Sequence, residues 1–329
     1  MRLRVLGLVV TLALDILLAP FTLEAQQAGK VYRIGVLETI SMALNAANFD
    51  AFRQGLRELG YVEGQNVVIE YRSADGRQER FPDLVTELVR LKVDLILTRG
   101  TPAALAAKNA TGTIPVVISG VGDPVGSGIV ASLARPGGNV TGLSAFNIEI
   151  YAKRVELLKE LVPRVARIAG LFNMGNPVLP LQWKQVEMAA RSLGVQPQLL
   201  DVRNPEDLRR AFDAAIRQRT RALVVGLDAL TQANRQLIVD LAARHRLPAI
   251  YASREFIDAG GLIAYGVSFP HLYHRAASFV DRIFKGAKPS DLPVEQPTKF
   301  ELVINLKTAK ALRLTVPQSI LVRGVEVIQ

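Results

Sequence analysis

The sequence predicts an α/β protein of two Rossmann-like lobes, each built on a parallel sheet, joined by crossing segments. Three observations carry this. Short runs rich in Val, Ile and Leu alternate with stretches whose apolar residues recur at helical spacing. The runs are apolar throughout, as suits strands buried on both faces of a parallel sheet. The whole rhythm then occurs a second time, about 130 residues further on. At 329 residues the chain also exceeds what one compact core usually supports.

In the first half the strands are YRIGVL from Tyr32, NVVIEY from Asn66, VDLILT from Val93 and IPVVIS from Ile114. Between them lie the helical stretches FDAFRQGLRELG, FPDLVTELVRLK and TPAALAAKNA. The second half repeats the scheme with ARIAGLF from Ala166, QPQLLDV from Gln196, RALVVGL from Arg221 and LPAIYA from Leu247. Its helices are LQWKQVEMAARSLG, NPEDLRRAFDAAIRQR and LTQANRQLIVDLAARHR. NVTGLSAF, where the first rhythm stops, and LIAYGVSF, where the second ends, are candidate crossings between lobes. HLYHRAASFVDRIFKG is a helix stopped by Gly286. The proline-rich AKPSDLPVEQPTKF then reads as a third strand between lobes, and ELVINLKTAKALRLTVP as a strand and a short helix. The expected division is residues 30–143 plus 269–294 for lobe I and 144–268 plus 295–329 for lobe II.

The N-terminal MRLRVLGLVVTLALDILLAPFTLEAQQ has two arginines, a long apolar core and a small residue at Ala25. That is the layout of a secretory signal, with residues 1–25 removed. The apolar run, interrupted by Asp15, is too short to span a membrane comfortably. With no cysteine in the chain there is no lipid-anchor Cys, disulfide or thiolate metal site. The expected mature protein is soluble and exported. Its formal net charge is +10, but the Lys and Arg are scattered, without a dense block or aromatic stripe. This reads as solvated surface, with no nucleic-acid partner. An apolar content of 49% excludes disorder.

Gly126, Gly128 and Ala131 match the spacing of a dinucleotide-binding turn. A genuine fingerprint needs a further strand ending in an acidic residue. Here the expected helix GSGIVASLA stops at Arg135-Pro136-Gly137-Gly138, and NVTGLS ends without an acid. The glycines therefore read as turn formers, with Asp123 and Pro124 opening a helix whose N–H groups face a cleft. No H-E-x-x-H, G-x-S-x-G or P-loop pattern occurs. His271 and His274 could make half a metal site but lack a third ligand. No catalytic residue, cofactor or metal is expected.

What remains is binding. In open parallel sheets ligands sit beyond the carboxyl ends of the strands. The residues there are Glu38, Thr39 and Ser41, then Thr98, Gly100 and Thr101, then Ser119 and Asp123. The second half supplies Phe172, Asn173 and Asn176, then Asp228, then Tyr251 and Ser253, then Tyr265. Hydroxyls and helix N-termini in the first set suit a carboxylate or other polar end. Asp228 suits an ammonium or amide donor.

Four stretches carry a family resemblance: IPVVISGVGDPVGSGIVASLARPGGNVTGLS, FRQGLRELGYVEGQNVVIEYRSADG, AIYASREFIDAGGLIAYG and LVINLKTAKALRLTVPQSIL. They resemble the ABC-transporter substrate-binding family that includes tryptophan- and aromatic-amino-acid-binding members. The similarity runs from about Tyr32 to Ile328, and the D-P-x-x-x-G…R-P-G-G-N-x-T-G block is its most specific part. The resemblance implies the class I periplasmic binding protein fold, with three crossing strands and a ligand closed between two lobes. It implies solute capture for an ATP-driven importer with a membrane permease as partner. Aromatic-amino-acid members grip the carboxylate with a Ser/Thr-rich first-lobe loop. ETISMALNAANFDAF is only partly like that, with Ser41 but no nearby aromatic platform.

The expected function is therefore an extracytoplasmic, monomeric solute-binding protein that closes on a small polar solute. An amino acid comes first, with an amide, a small aromatic acid or a purine-like solute open. Hinges are expected in VTGLSAF, YGVSF and EQPTKF. The competing classes are a ligand-sensing module for a membrane signalling partner and a two-lobed transferase. The latter would need a nucleotide loop or catalytic pair, and neither is visible. On this reading, mass spectrometry of the exported protein finds an N-terminus at Gln26. Retention of Met1 in the exported fraction contradicts it.

Overall fold

Two sheets organise the chain in the computed structural model, which describes residues 30–145, 149–323 and 326–328. The expected signal segment lies outside the described residues. The first sheet contains β1 (Tyr32–Glu38), β2 (Val67–Ser73), β3 (Leu95–Thr98), β4 (Val116–Val121) and β5 (Val140–Ser144), in the order β2-β1-β3-β4-β5. All its pairings are parallel. The second contains β6 (Arg167–Phe172), β7 (Gln196–Asp201), β8 (Ala222–Val225), β9 (Ala249–Tyr251) and β10 (Ile263–Val267), in the order β7-β6-β8-β9-β10. Each half thus shows the same doubly wound order, and each changes winding direction beside its first strand. The second sheet is extended by β11 (Phe300–Asn305), antiparallel to β10, and by β12 (Glu326–Ile328). All eight strands expected from the apolar runs are present.

Helices cover both faces of each sheet, so each half has two buried clusters. In the first half, α1 (Ala46–Glu58) covers one face; α2 (Phe81–Arg90) and α3 (Thr101–Ala110) cover the other. Each presents an apolar stripe at helical spacing, such as Phe49, Phe52 and Leu56 of α1. In the second half α4 (Glu149–Leu161) and α5 (Leu179–Ser192) pack one face. On the other face lie α6 (Pro205–Arg217), α7 (Ala229–Ala233), α8 (Arg235–Arg244) and α9 (Glu255–Asp258). After β10 the chain returns to the first half as α10 (Phe269–Phe284), whose Leu272, Tyr273, Ala276 and Phe279 join the core around Phe49 and Phe52. The short helices α11 (Leu306–Ala311) and α12 (Gln318–Arg323) complete the second half.

Several features differ from expectation, among them the short elements α9, α12 and β12. The stretch expected as the helix GSGIVASLA is a series of turns. Asp123 Oδ1 accepts from the Gly126 N–H at 2.8 Å, and a Cβ on Gly126 would lie 2.0 Å from Asp123 Oδ2. The glycine lets this side-chain turn close, and the turn takes the N–H a helix would need. LTQANRQLIVDLAARHR is two helices, broken at Asn234. The third crossing is extended chain rather than a strand: around Pro293 and Pro297 only an isolated bridge, Leu143 to Glu295, joins it to a sheet. Proline removes the donors that a ladder needs. Helix α4 was not among the expected elements, its stretch having been read only as part of the passage between the two rhythms.

Gly142, in β5, has φ +129°, and a Cβ there would lie 2.3 Å from the Ile118 carbonyl oxygen. Both the left-handed backbone and the close approach exclude a side chain. Gly142→Ala is expected to cost about 2 kcal/mol or more, read as a lower urea midpoint at unchanged slope. An unchanged midpoint contradicts this packing.

Candidate functional site

The winding reverses between β1 and β3 in one half and between β6 and β8 in the other. Loops from the carboxyl ends of these strands diverge there, leaving a crevice. The two crevices meet in one cavity, about 760 Å³ with its open mouth included. The first half contributes Thr39, Arg99, Gly100, Thr101 and Phe269 to its walls. The second contributes Ile150, Tyr151, Arg154, Asn176, Val178, Gln182, Asp228 and Gln232. Aromatic and aliphatic side chains thus surround a few converging polar groups, the usual make-up of a small-molecule site.

On the first wall, Gly100 adopts φ +87° and starts α3. Gly100 and Thr101 place the start of this helix on the cavity wall. The hydroxyls of Thr39 and Thr101 are shielded by protein yet have no hydrogen-bond partner there. An orphaned buried hydroxyl is costly unless something fills the site. Behind this wall, Glu38 accepts from Tyr273 Oη and from the Thr39 N–H at 3.1 Å. Burial raises its pKa, with Arg99 opposing.

On the second wall, Asn173 Nδ2 donates to Asp228 Oδ2 at 2.6 Å, while Asp228 Oδ1 accepts from the Thr231 N–H at 3.0 Å. The second bond caps α7. Burial raises the pKa of Asp228 even so, so its charged form gains from any cation placed beside it. One turn along, Gln232 Nε2 donates to Ser253 Oγ at 3.1 Å, leaving Gln232 Oε1 buried without a partner. Two acceptors, Asp228 and Gln232, therefore look into the cavity together.

The two walls are tied at one edge. Arg99 Nε lies 4.0 Å from Glu38 Oε2, and Arg99 Nη1 lies 3.6 Å from Glu255 Oε1 across the cleft. Asn48 Nδ2 donates to the same Glu255 oxygen at 3.0 Å. Arg235 Nη2 also reaches the Leu44 carbonyl at 3.2 Å. Burial works against the Arg99 charge, but Tyr273, Glu38 and Glu255 together hold its pKa above the ordinary value. Burial likewise opposes the Glu255 charge, and Arg99 with the Asn48 and Ser253 hydrogen bonds reverses the shift, leaving its pKa low.

Of the residues expected from strand ends, Thr39, Gly100, Thr101, Asn176 and Asp228 line the cavity. Glu38 and Asn173 stand directly behind it, bonded to lining residues. Thr98 and Ser119 turn their hydroxyls to the carbonyls of Leu37 and Thr98. Ser41 closes a local turn onto the Leu44 N–H, and Asp123 caps its own turn. Tyr251 stacks on Phe256 in the core, and Tyr265 lies beside Phe300. Phe172 is core, packed edge-on to Trp183. Among the described residues no group of three or more metal-ligating side chains forms, and His274 pairs with Glu58 at 2.9 Å. Sequence reasoning missed Arg99, although it stands between two expected residues, and Gln232, one helical turn after Asp228. It also missed Tyr151 and Gln182, in the first turns of their helices, and Arg154, in mid-helix, none of which carries a local signal.

Removing Arg99 strands two buried carboxylates. Arg99→Met is expected to cost about 3–5 kcal/mol. Without the cation the folded-state pKa of Glu38, already raised by burial, climbs further, and that of Glu255 rises above its unfolded value. The penalty is then greatest at about pH 7 and shrinks as pH falls and both carboxyls protonate. Urea midpoints at neutral and acid pH read this; a deficit independent of pH contradicts it.

Comparison with known proteins agrees with this geometry. A model of ABC transporter substrate binding proteins matches residues 33–328. A tyrosine-binding protein of Clostridioides difficile is 28% identical over 262 residues, covering 79% of this chain and 75% of that protein. The ABC domain from Streptococcus pneumonia in complex with L-Trp is 28% identical with a TM-score of 0.83, covering 90% of this chain and 99% of that one. A ligand-free, open substrate binding protein with adhesive properties from Clostridium difficile is 25% identical with a TM-score of 0.65, covering 91% and 99%. The family and these neighbours are substrate-binding proteins, and their kind of partner is a small-molecule solute and an ABC permease. The chain, with its two doubly wound halves and shared cavity, belongs to the ABC transporter substrate-binding protein family.

Proposed function

We propose that the protein is the periplasmic solute-binding component of an ABC importer, exported by cleavage of residues 1–25, and that it captures an amino acid of aromatic type by hinge closure. Lobe I is residues 30–143 plus 269–294, and lobe II is 144–268 plus 295–329. It acts as a monomer and performs no chemistry on its cargo. The observation that carries this reading is a set of buried polar atoms without partners around one cavity: Thr39 Oγ1, Thr101 Oγ1 and Gln232 Oε1. Native proteins pair such atoms, so a solute is the natural partner.

The chemistry of the walls supports an amino acid. The ammonium group goes to Asp228 and the Gln232 carbonyl, which are acceptors. The carboxylate goes to the Thr39 and Thr101 hydroxyls and the N–H groups at the start of α3. Phe269, Tyr151, Ile150 and Val178 supply apolar surface for the side chain. The ligands of two relatives, tyrosine and L-Trp, support the aromatic class. Closure would swing lobe II about the crossings near Ala145, Val267 and residues 295–300, completing the Arg99–Glu255 pair. The greater likeness to the L-Trp complex than to the open, ligand-free structure supports the closed state as the one seen here. A solute contacting both walls favours that state in proportion to its extra contacts.

A thermal-shift screen of the mature protein against amino acids, aromatic acids, amides and nucleosides tests this. An aromatic or related amino acid is expected to raise the melting temperature with saturation. Asp228→Ala is expected to weaken that ligand by about 2–5 kcal/mol. No response from any amino acid, or an Asp228→Ala affinity equal to wild type, contradicts the assignment.

A further inference from the structure

The polar groups assigned so far leave one buried cation unused. Arg154 lies in the middle of α4 on the second wall, 5% exposed. Its Nε donates to the Tyr265 carbonyl at 2.7 Å, and its guanidinium carbon sits 5.2 Å from the centre of the Tyr151 ring. Unlike Arg99, it forms no ion pair with any carboxylate among the described residues. Asp228, across the same wall, makes its contacts to Asn173 and Thr231 and none to Arg154. Burial pulls the Arg154 pKa down to about 10, with Tyr151 and Tyr265 opposing, so the group is still a cation at neutral pH. Its remaining N–H donors border the cavity. Gln182, buried on the same wall, also has no side-chain partner among the described residues.

A desolvated guanidinium facing a cavity calls for an oxyanion, since it has only donors to offer and its forked geometry matches a carboxylate. We propose that the solute is an acidic amino compound whose second carboxylate, separate from the one received in the first lobe, is met by Arg154 with Gln182. This rests on the amino-acid reading above, whether or not the side chain is aromatic, and specifies that the far end of the side chain carries a negative charge.

Calorimetry on the wild-type mature protein with matched pairs decides it: L-glutamate against L-glutamine, and 4-carboxy-L-phenylalanine against 4-carbamoyl-L-phenylalanine. The acid of at least one pair is expected to bind about tenfold or more tighter than its amide. Arg154→Gln, which retains a donor for the Tyr265 carbonyl, is expected to erase that ratio, and Arg154→Lys to keep part of it. The wild-type ratios stand even if a variant fails to fold. Amides that bind as tightly as their acids overturn the second carboxylate and leave the amino-acid reading intact. A ratio unchanged in folded Arg154→Gln removes Arg154 from the role. Loss of all four probes in Arg154→Gln, with equal wild-type ratios, places the α-carboxylate on Arg154 instead and also overturns the proposal. Absence of binding by all four probes to wild type overturns the second carboxylate, while the amino-acid reading stands or falls by the thermal-shift screen.

Discussion

Arg99 is a cation that the fold has taken out of water, and its two carboxylate partners come from opposite sides of the cleft. Glu38 belongs to the end of β1, and Glu255 begins α9 in the other half. Desolvating such a group is expensive unless its partners are in place. With the halves together, both carboxylates and the Asn48 amide complete the cluster. With the halves apart, water must replace Glu255. The cluster thus joins the two halves electrostatically at the rim of the cavity. The ring of Phe269, 4.8 Å from the guanidinium carbon, extends the same cluster to the segment where the chain crosses back.

The topology explains why the cluster stands beside a binding cavity. Parallel strands send all their carboxyl-end loops to one edge of a sheet. Both halves here use the same strand order, so each has its crevice at the equivalent place. Thr39 and Gly100 flank one crevice, Asn173 and Asp228 the other. Facing these two edges together brings polar groups from four strand ends to one cavity, while helices bury a core on both faces of each sheet. The cavity is polar where strands end, and α4, α5 and α10 add apolar surface together with Arg154 and Gln182.

Much of the architecture was legible in the residues. Buried parallel strands must be apolar on both faces, so YRIGVL or RALVVGL stands out against amphipathic helices. The repeat was legible for the same reason. The turns after Val121 were not, because Asp123 and Gly126 satisfy helix-start and side-chain-turn rules equally well until the bond between them is seen. Strand-end logic located the cavity but not the direction of each side chain. Thr98 and Ser119 sit at the correct strand ends and yet bond to neighbouring carbonyls. Arg154 and Gln182 reach the cavity from helix interiors, where spacing makes them look like ordinary polar members of an amphipathic pattern.

The central claim is that two rigid halves move together around a solute. The chain has no cysteine, so a pair introduced at the exposed positions Glu79 and Lys184 can carry spin labels selectively. Electron–electron dipolar spectroscopy then measures the distance between the halves, with and without saturating amounts of the tightest ligand from the screen. The account predicts a broad, longer distribution that shortens and narrows when the solute binds. A distribution that the bound solute leaves unchanged contradicts closure.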